Sequence, residues 1–171
     1  MDNLTSYLND HLAGSVGALE LLDRLIDTYE GKPLGAFFRE LRSDIRDDQE
    51  KLQELIQQMG ADESAVRKAG AWLVEKISRV KMPVSESSDD EMGLFLALEA
   101  LALGILGKRS LWQALRAASQ KMPQLARLDY TGLEKRAVEQ YERAEEKRLE
   151  IASSVLKATQ PHWPPVKPRN G

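Results

Sequence analysis

Asp48 stands where an apolar residue is due. Residues 34–59 place Leu34, Phe37, Leu41, Ile45, Leu52, Leu55 and Met59 at helical spacing, and Asp48 falls on that stripe. Residues 131–158 do the same with Leu133, Ala137, Tyr141, Ala144, Ile151 and Val155. Arg148 sits mid-stripe there, with Glu145 one helical step before it. In residues 3–30, His11 and Ser15 lie near the centre of a face built from Leu4, Leu8, Leu12, Leu19, Leu22, Ile26 and Tyr29. In residues 89–118, Arg109 joins a face of Leu94, Leu98, Leu101, Ile105 and Trp112. A charge taken out of water is costly unless it is paired. A rise of about 1.5 Å per residue puts Asp48 and Arg148 at similar heights if their helices run antiparallel. The expectation is a polar layer of His11, Ser15, Asp48, Arg109 and Arg148, built around an Asp48–Arg148 ion pair.

Other chemistries lack their residues. The chain has no Cys, which excludes disulfides, thiolate metal sites and a cysteine nucleophile. Of the two His residues, His162 lies in a Pro-rich tail, and nothing local supports a Ser/His/Asp arrangement. No phosphate-binding glycine motif stands at a strand-to-helix turn. Gly104 and Gly107, before Lys108, lie inside a helical pattern and read as packing positions. Across 171 residues, 24 Lys+Arg against 27 Asp+Glu give a net charge of −3, which argues against nucleic-acid binding.

The elements that must hold these residues are long helices, with strand signals nearly absent. The pattern predicts a helix over 3–30, ended by Gly31, and a second over 34–59, ended by Gly60. A lesser helix over 62–81 follows. Its basic residues Arg67, Lys68, Lys76, Arg79 and Lys81 read as a solvated face. Two more long helices are predicted over 89–118 and 131–158, the last opened by Thr131 and Glu134 in a capping-box pattern. One helical domain over 1–159 is expected, followed by a tail over 160–171 that holds four of the seven prolines and reads as extended or disordered. The N-terminus shows no basic and apolar leader pattern, so no signal peptide is expected. The most apolar stretch, 92–107, is too short for a span and carries Glu99.

The connections carry topology. A tight turn makes the first two long helices antiparallel. The long link over 60–88 can return the chain along the bundle, which makes the second and third parallel. Short link, long crossover and moderate link, with polar positions in the core, resemble the ferritin-like superfamily over nearly the whole chain. The fold class this implies is all-α, a ferritin-like four-helix bundle whose crossover contains an extra helix. Di-iron members of that superfamily take one Glu from each of two helices and Glu-x-x-His from each of the others. This sequence departs from that pattern. Residues 40–49 contain no His, and Arg148 follows Glu145 where a His ligand would stand. The resemblance therefore implies a fold whose metal site is replaced by a buried polar layer, with no cofactor. The alternative is an iron- or manganese-binding oxidoreductase using Asp44, Asp48, Glu99, Glu145 and His11.

The helix over 89–118 is apolar beyond its core face, through Met92, Leu96, Leu103 and Leu106. Such a helix is covered all round. The lesser helix or a second copy would cover it, and a homodimer is the favoured expectation. Small residues Ala13, Gly14, Gly17, Ala18, Ala97, Ala100 and Gly104 would allow close helix approach. Together these features suggest a cytoplasmic, non-catalytic binding or structural module, with no nucleic acid or membrane as partner. A small-ligand pocket between the helices is a further possibility.

Overall fold

The computed structural model describes residues 3–60 and 88–156. The lesser helix expected over 62–81 and the Pro-rich tail lie outside them. Among the described residues the protein is all-helical: α1 (Asn3–Thr28), α2 (Pro33–Gln58), α3 (Ser88–Ser119) and α4 (Tyr130–Val155), with a short 3-10 turn at Pro123–Leu125. No helix there is long and apolar enough to cross a membrane.

The termini follow local chemistry. Pro33 opens α2, where its missing N–H costs nothing. Gly31 and Gly60 take φ of 73° and 68°, the left-handed conformation in which glycine is favoured after a helix. The start of α4 differs from the capping-box expectation. Asp129, not Thr131, is the N-cap, and its carboxylate accepts from the Gly132 N–H at 3.0 Å. Glu134 is drawn instead to α3, where it accepts from the Gln113 side-chain amide at 2.6 Å and pairs with Arg116 at 3.3 Å.

Cross-helix contacts set the directions. Asp23 meets Arg42 and Ser15 meets Gln49, so α1 and α2 are antiparallel. Glu99 meets Arg148, and Gln113 meets Glu134, so α3 and α4 are antiparallel. Asp48 meets Gln140, and Asp44 meets Arg143, so α2 and α4 are antiparallel as well. It follows that α2 and α3 run the same way.

The core lies between the four helices. Leu8, Leu12, Leu22, Phe38, Leu41, Leu98, Leu101, Trp112 and Ala137 are buried in one cluster. The 3-10 turn closes one end, where the Tyr130 hydroxyl donates to the Leu125 carbonyl at 2.6 Å and the Tyr130 ring lies 6.5 Å from that of Trp112.

Candidate functional site: a buried ion cluster beside an apolar cavity

Asp48 is the charged residue that α2 buries, with its side chain only 1% exposed. Its partner is not Arg148. Lys108 of α3 places Nζ 2.6 Å from Asp48 Oδ2. Gln140 of α4 donates its side-chain N–H to the same oxygen at 3.0 Å, and its own carbonyl accepts from Lys108 Nζ. Arg136 approaches the other carboxylate oxygen, Oδ1, at 3.2 Å. This is an ion pair without hydrogen-bond alignment, and Oδ1 has no hydrogen-bond partner. Three helices thus converge on one carboxylate.

Arg148 lies eight residues beyond Gln140, about 12 Å farther along α4 at helical rise. It pairs with Glu145 at 2.6 Å and Glu99 at 3.5 Å, and its guanidinium stands 5.1 Å from the Phe95 ring centroid. The acids within its reach are those of its own turn and of α3. The expected five-residue layer is therefore divided. Asp48 forms the buried cluster, while Arg148 and Arg109 pair elsewhere, Arg109 with Glu134 at 3.5 Å. Ser15 Oγ donates to the Leu12 carbonyl and accepts from Gln49. His11 meets the edge of the Tyr7 ring, with centroids 4.7 Å apart.

His11, Ser15 and Asp48 do share one feature. With Lys108 and Trp112 they line a cavity of about 410 Å³ between α1, α2 and α3. Its walls include Ala18, Ile45, Leu52, Leu101, Ile105 and Leu111. The glycines explain the space. A Cβ built on Gly14, Gly104 or Gly107 meets nothing within 4 Å. The expectation that Gly14 and Gly104 bring helices together is corrected here, as is the packing role for Gly107. These positions widen the gap, whereas Ala13, Gly17 and Ala97 are buried as filler. Trp112 is 1% exposed, and its indole Nε1 has no hydrogen-bond partner.

Burial shifts two groups that line the cavity. It pushes the Lys108 ammonium below its ordinary value, against the pull of Asp48. It also lowers His11, against a smaller raising effect of Asp10.

The acids of the metal alternative do not fit a metal centre. Asp44 accepts from Arg143, Asp48 faces two cations, Glu99 and Glu145 share Arg148, and His11 lies in the cavity wall beside Tyr7. No three His, Cys, Asp or Glu among the described residues are placed to hold one ion. Divalent ions need converging oxygen or nitrogen donors, and the two cations on Asp48 oppose one there.

Of the residues expected at an interface, Leu96 and Leu103 are 54% and 62% exposed, Met92 is exposed and Leu106 half-buried.

Sequence reasoning missed Lys108, Arg136 and Gln140. Gln140 carried a signal, because Leu133, Ala137, Gln140 and Ala144 follow the spacing of a buried stripe. Lys108 is one position off the face assigned to Arg109, and a long stem can carry its ammonium inward from a flank.

Comparison of the chain with protein-family models, with curated proteins and with solved structures finds no match.

Proposed function

We propose that this protein is a non-catalytic binding module that holds a small, mainly apolar molecule in the cavity between α1, α2 and α3. The observation that carries this is the combination of an open, glycine-widened apolar space with a fixed polar cluster at its wall. Ligand sites are typically concave and apolar, with a few polar groups that set orientation. A cavity of about 410 Å³ lies within the usual range for such sites.

The proposal includes a ferritin-like arrangement in which the Asp48–Lys108 pair stands in place of a metal centre. Its support is the shared direction of α2 and α3, which a long crossover would produce, and the three-helix convergence on Asp48. A homodimer through α3 belongs to the same reading, supported by the exposure of Leu96 and Leu103, seven residues and so two turns apart.

The test uses N-phenyl-1-naphthylamine, a neutral apolar fluorophore. Saturable binding at about one probe per chain is expected. Gly104→Leu should abolish it by filling the space, while circular dichroism stays unchanged. A folded wild-type protein that shows no saturable binding would remove the proposal.

A further inference from the structure

The outer face of α3 differs from that of its neighbour. Where α4 exposes Lys135, Glu139, Glu142 and Glu146, every exposed residue of α3 between Glu91 and Arg116 is uncharged. The three charged residues in that stretch are engaged within the chain: Glu99 with Arg148, Lys108 with Asp48 and Arg109 with Glu134. A helix face turned to water normally carries charged residues.

Spacing on that face is regular. Leu96, Ala100, Leu103, Gly107, Ser110 and Ala114 follow one another by alternate steps of four and three residues, the spacing of a seam along which two helices pack. All but the half-buried Gly107 are exposed, and a Cβ on Gly107 meets nothing within 4 Å in the chain. The seam is also uneven along its length. Its leucines stand in the first half, and Gly107, Ser110 and Ala114 fill the second. Charge follows the same direction. Asp89, Asp90 and Glu91 stand at the start of α3, whereas Arg116 lies in its last turn and Lys121 just beyond.

We propose that two copies of this chain pair antiparallel along α3, with the two-fold axis between Leu103 and Gly107. Leu103 then rests on the partner's Gly107, Leu96 on the partner's Ala114 and Ala100 on the partner's Ser110, so that each leucine meets a small residue. Leu106, half-buried beside the seam, meets its own copy near the axis. The acidic start of each α3 lies beside the basic end of the other, and the seam between them carries no charge to desolvate. A parallel pair would set leucine on leucine, leave Gly107 facing Gly107 and bring like charges together. The two-fold arrangement is closed and stops at two chains. Gly107 also belongs to the cavity wall, so the partner's Leu103 completes that wall. This rests on the homodimer proposed above and gives it a direction, a register and a share in the cavity.

Analytical ultracentrifugation of the full chain, at concentrations up to about 100 μM, tests this together with cysteine cross-linking. Twice the chain mass is expected. Leu103→Lys should give the mass of one chain with circular dichroism unchanged, and Leu96→Lys should do the same from a second point on the seam. Because the chain has no cysteine, introduced ones report position cleanly. Ala100→Cys and Ser110→Cys chains, one carrying a size tag, should form a mixed disulfide when combined and oxidised. Ala100→Cys alone should not link to itself, because about 15 Å of helix separates the two copies of that position, beyond the reach of a disulfide. Leu103→Lys should also weaken binding of N-phenyl-1-naphthylamine by about threefold or more, through loss of one leucine's apolar contact. A chain that stays monomeric would overturn the proposal, and probe binding would still test the cavity. A dimer that persists in both lysine variants would overturn it by placing the contact on another face. Ready self-linking of Ala100→Cys would overturn the antiparallel register. Equal probe binding by the dimer and the Leu103→Lys monomer would overturn the shared wall. A dimer with these cross-links that binds no probe would remove the cavity function and leave this interface standing.

Discussion

Lys108 Nζ and Asp48 Oδ2, 2.6 Å apart, tie α3 to α2 at a buried point where two helices of the same direction meet. The contact is not a simple pair, because Gln140 bonds to both partners and Arg136 reaches the other carboxylate oxygen. The carboxylate thus organises three helices and forms one wall of the cavity.

Asp48→Leu should destabilise the protein by about 3 kcal/mol, because it leaves Lys108 buried without its counter-charge. Asp48→Leu with Lys108→Leu should recover much of that loss. Arg136, with a side chain 41% exposed, can then turn to water. Urea unfolding of the two single variants and the double variant measures the coupling. Additive losses would show that the pair is not a unit.

Arg148→Leu should shift the urea midpoint far less than Asp48→Leu does. Its ion pairs with Glu145 and Glu99 are only partly buried, with Glu99 46% exposed, so they keep more access to water than the Asp48–Lys108 pair does, and a leucine retains apolar packing on the buried Phe95 ring. It should also be additive with Asp48→Leu, because the two side chains share no partner. Strong coupling between them would restore the pairing expected from the sequence.

Helix positions and the two glycine stops were legible because apolar periodicity and positive-φ glycines act locally. Asp48 was legible as a buried charge because it interrupts a stripe. Its partner was not legible. Pairing across helices depends on relative height and on the reach of long side chains, and an offset of eight residues in α4 exchanges Gln140 for Arg148. The cavity was hidden for a different reason. A glycine on a helix face permits close approach or leaves a gap, and only the distance between helices separates the two. Gly17 is buried, whereas Gly14, one turn earlier, faces open space.

Two glycine-to-alanine changes should therefore have opposite signs. At Gly35, a Cβ would run into the Tyr29 carbonyl oxygen, which also accepts from the Lys32 N–H in the turn between α1 and α2. Gly35→Ala should destabilise by about 2 kcal/mol, because backbone on both sides of the turn must shift. Gly14→Ala meets nothing within 4 Å inside α1 and should stabilise by about 0.5–1 kcal/mol through helix propensity. Thermal or urea unfolding of each variant decides the signs. A neutral Gly35→Ala would show that the turn relaxes freely.

The His11 shift predicts how stability depends on pH. Burial lowers its pKa from an ordinary value of 6.5, and Asp10 opposes the shift only in part. The unfolded chain therefore takes up a proton at a pH where the folded chain still resists it. Protonation then favours unfolding. The stability contributed by neutral His11 is complete above about pH 6.5 and is lost as pH falls through the lowered native value. Glu134 and Glu145, whose values are lowered from 4.5, act in a separate and more acidic window. The urea midpoint should therefore fall between about pH 7 and pH 5, and His11→Gln should flatten that part of the profile. An unchanged slope in His11→Gln would place the proton on another group. A flattened slope, with probe binding that weakens over the same interval, would tie the titration to the cavity wall that His11 shares with Lys108 and Trp112.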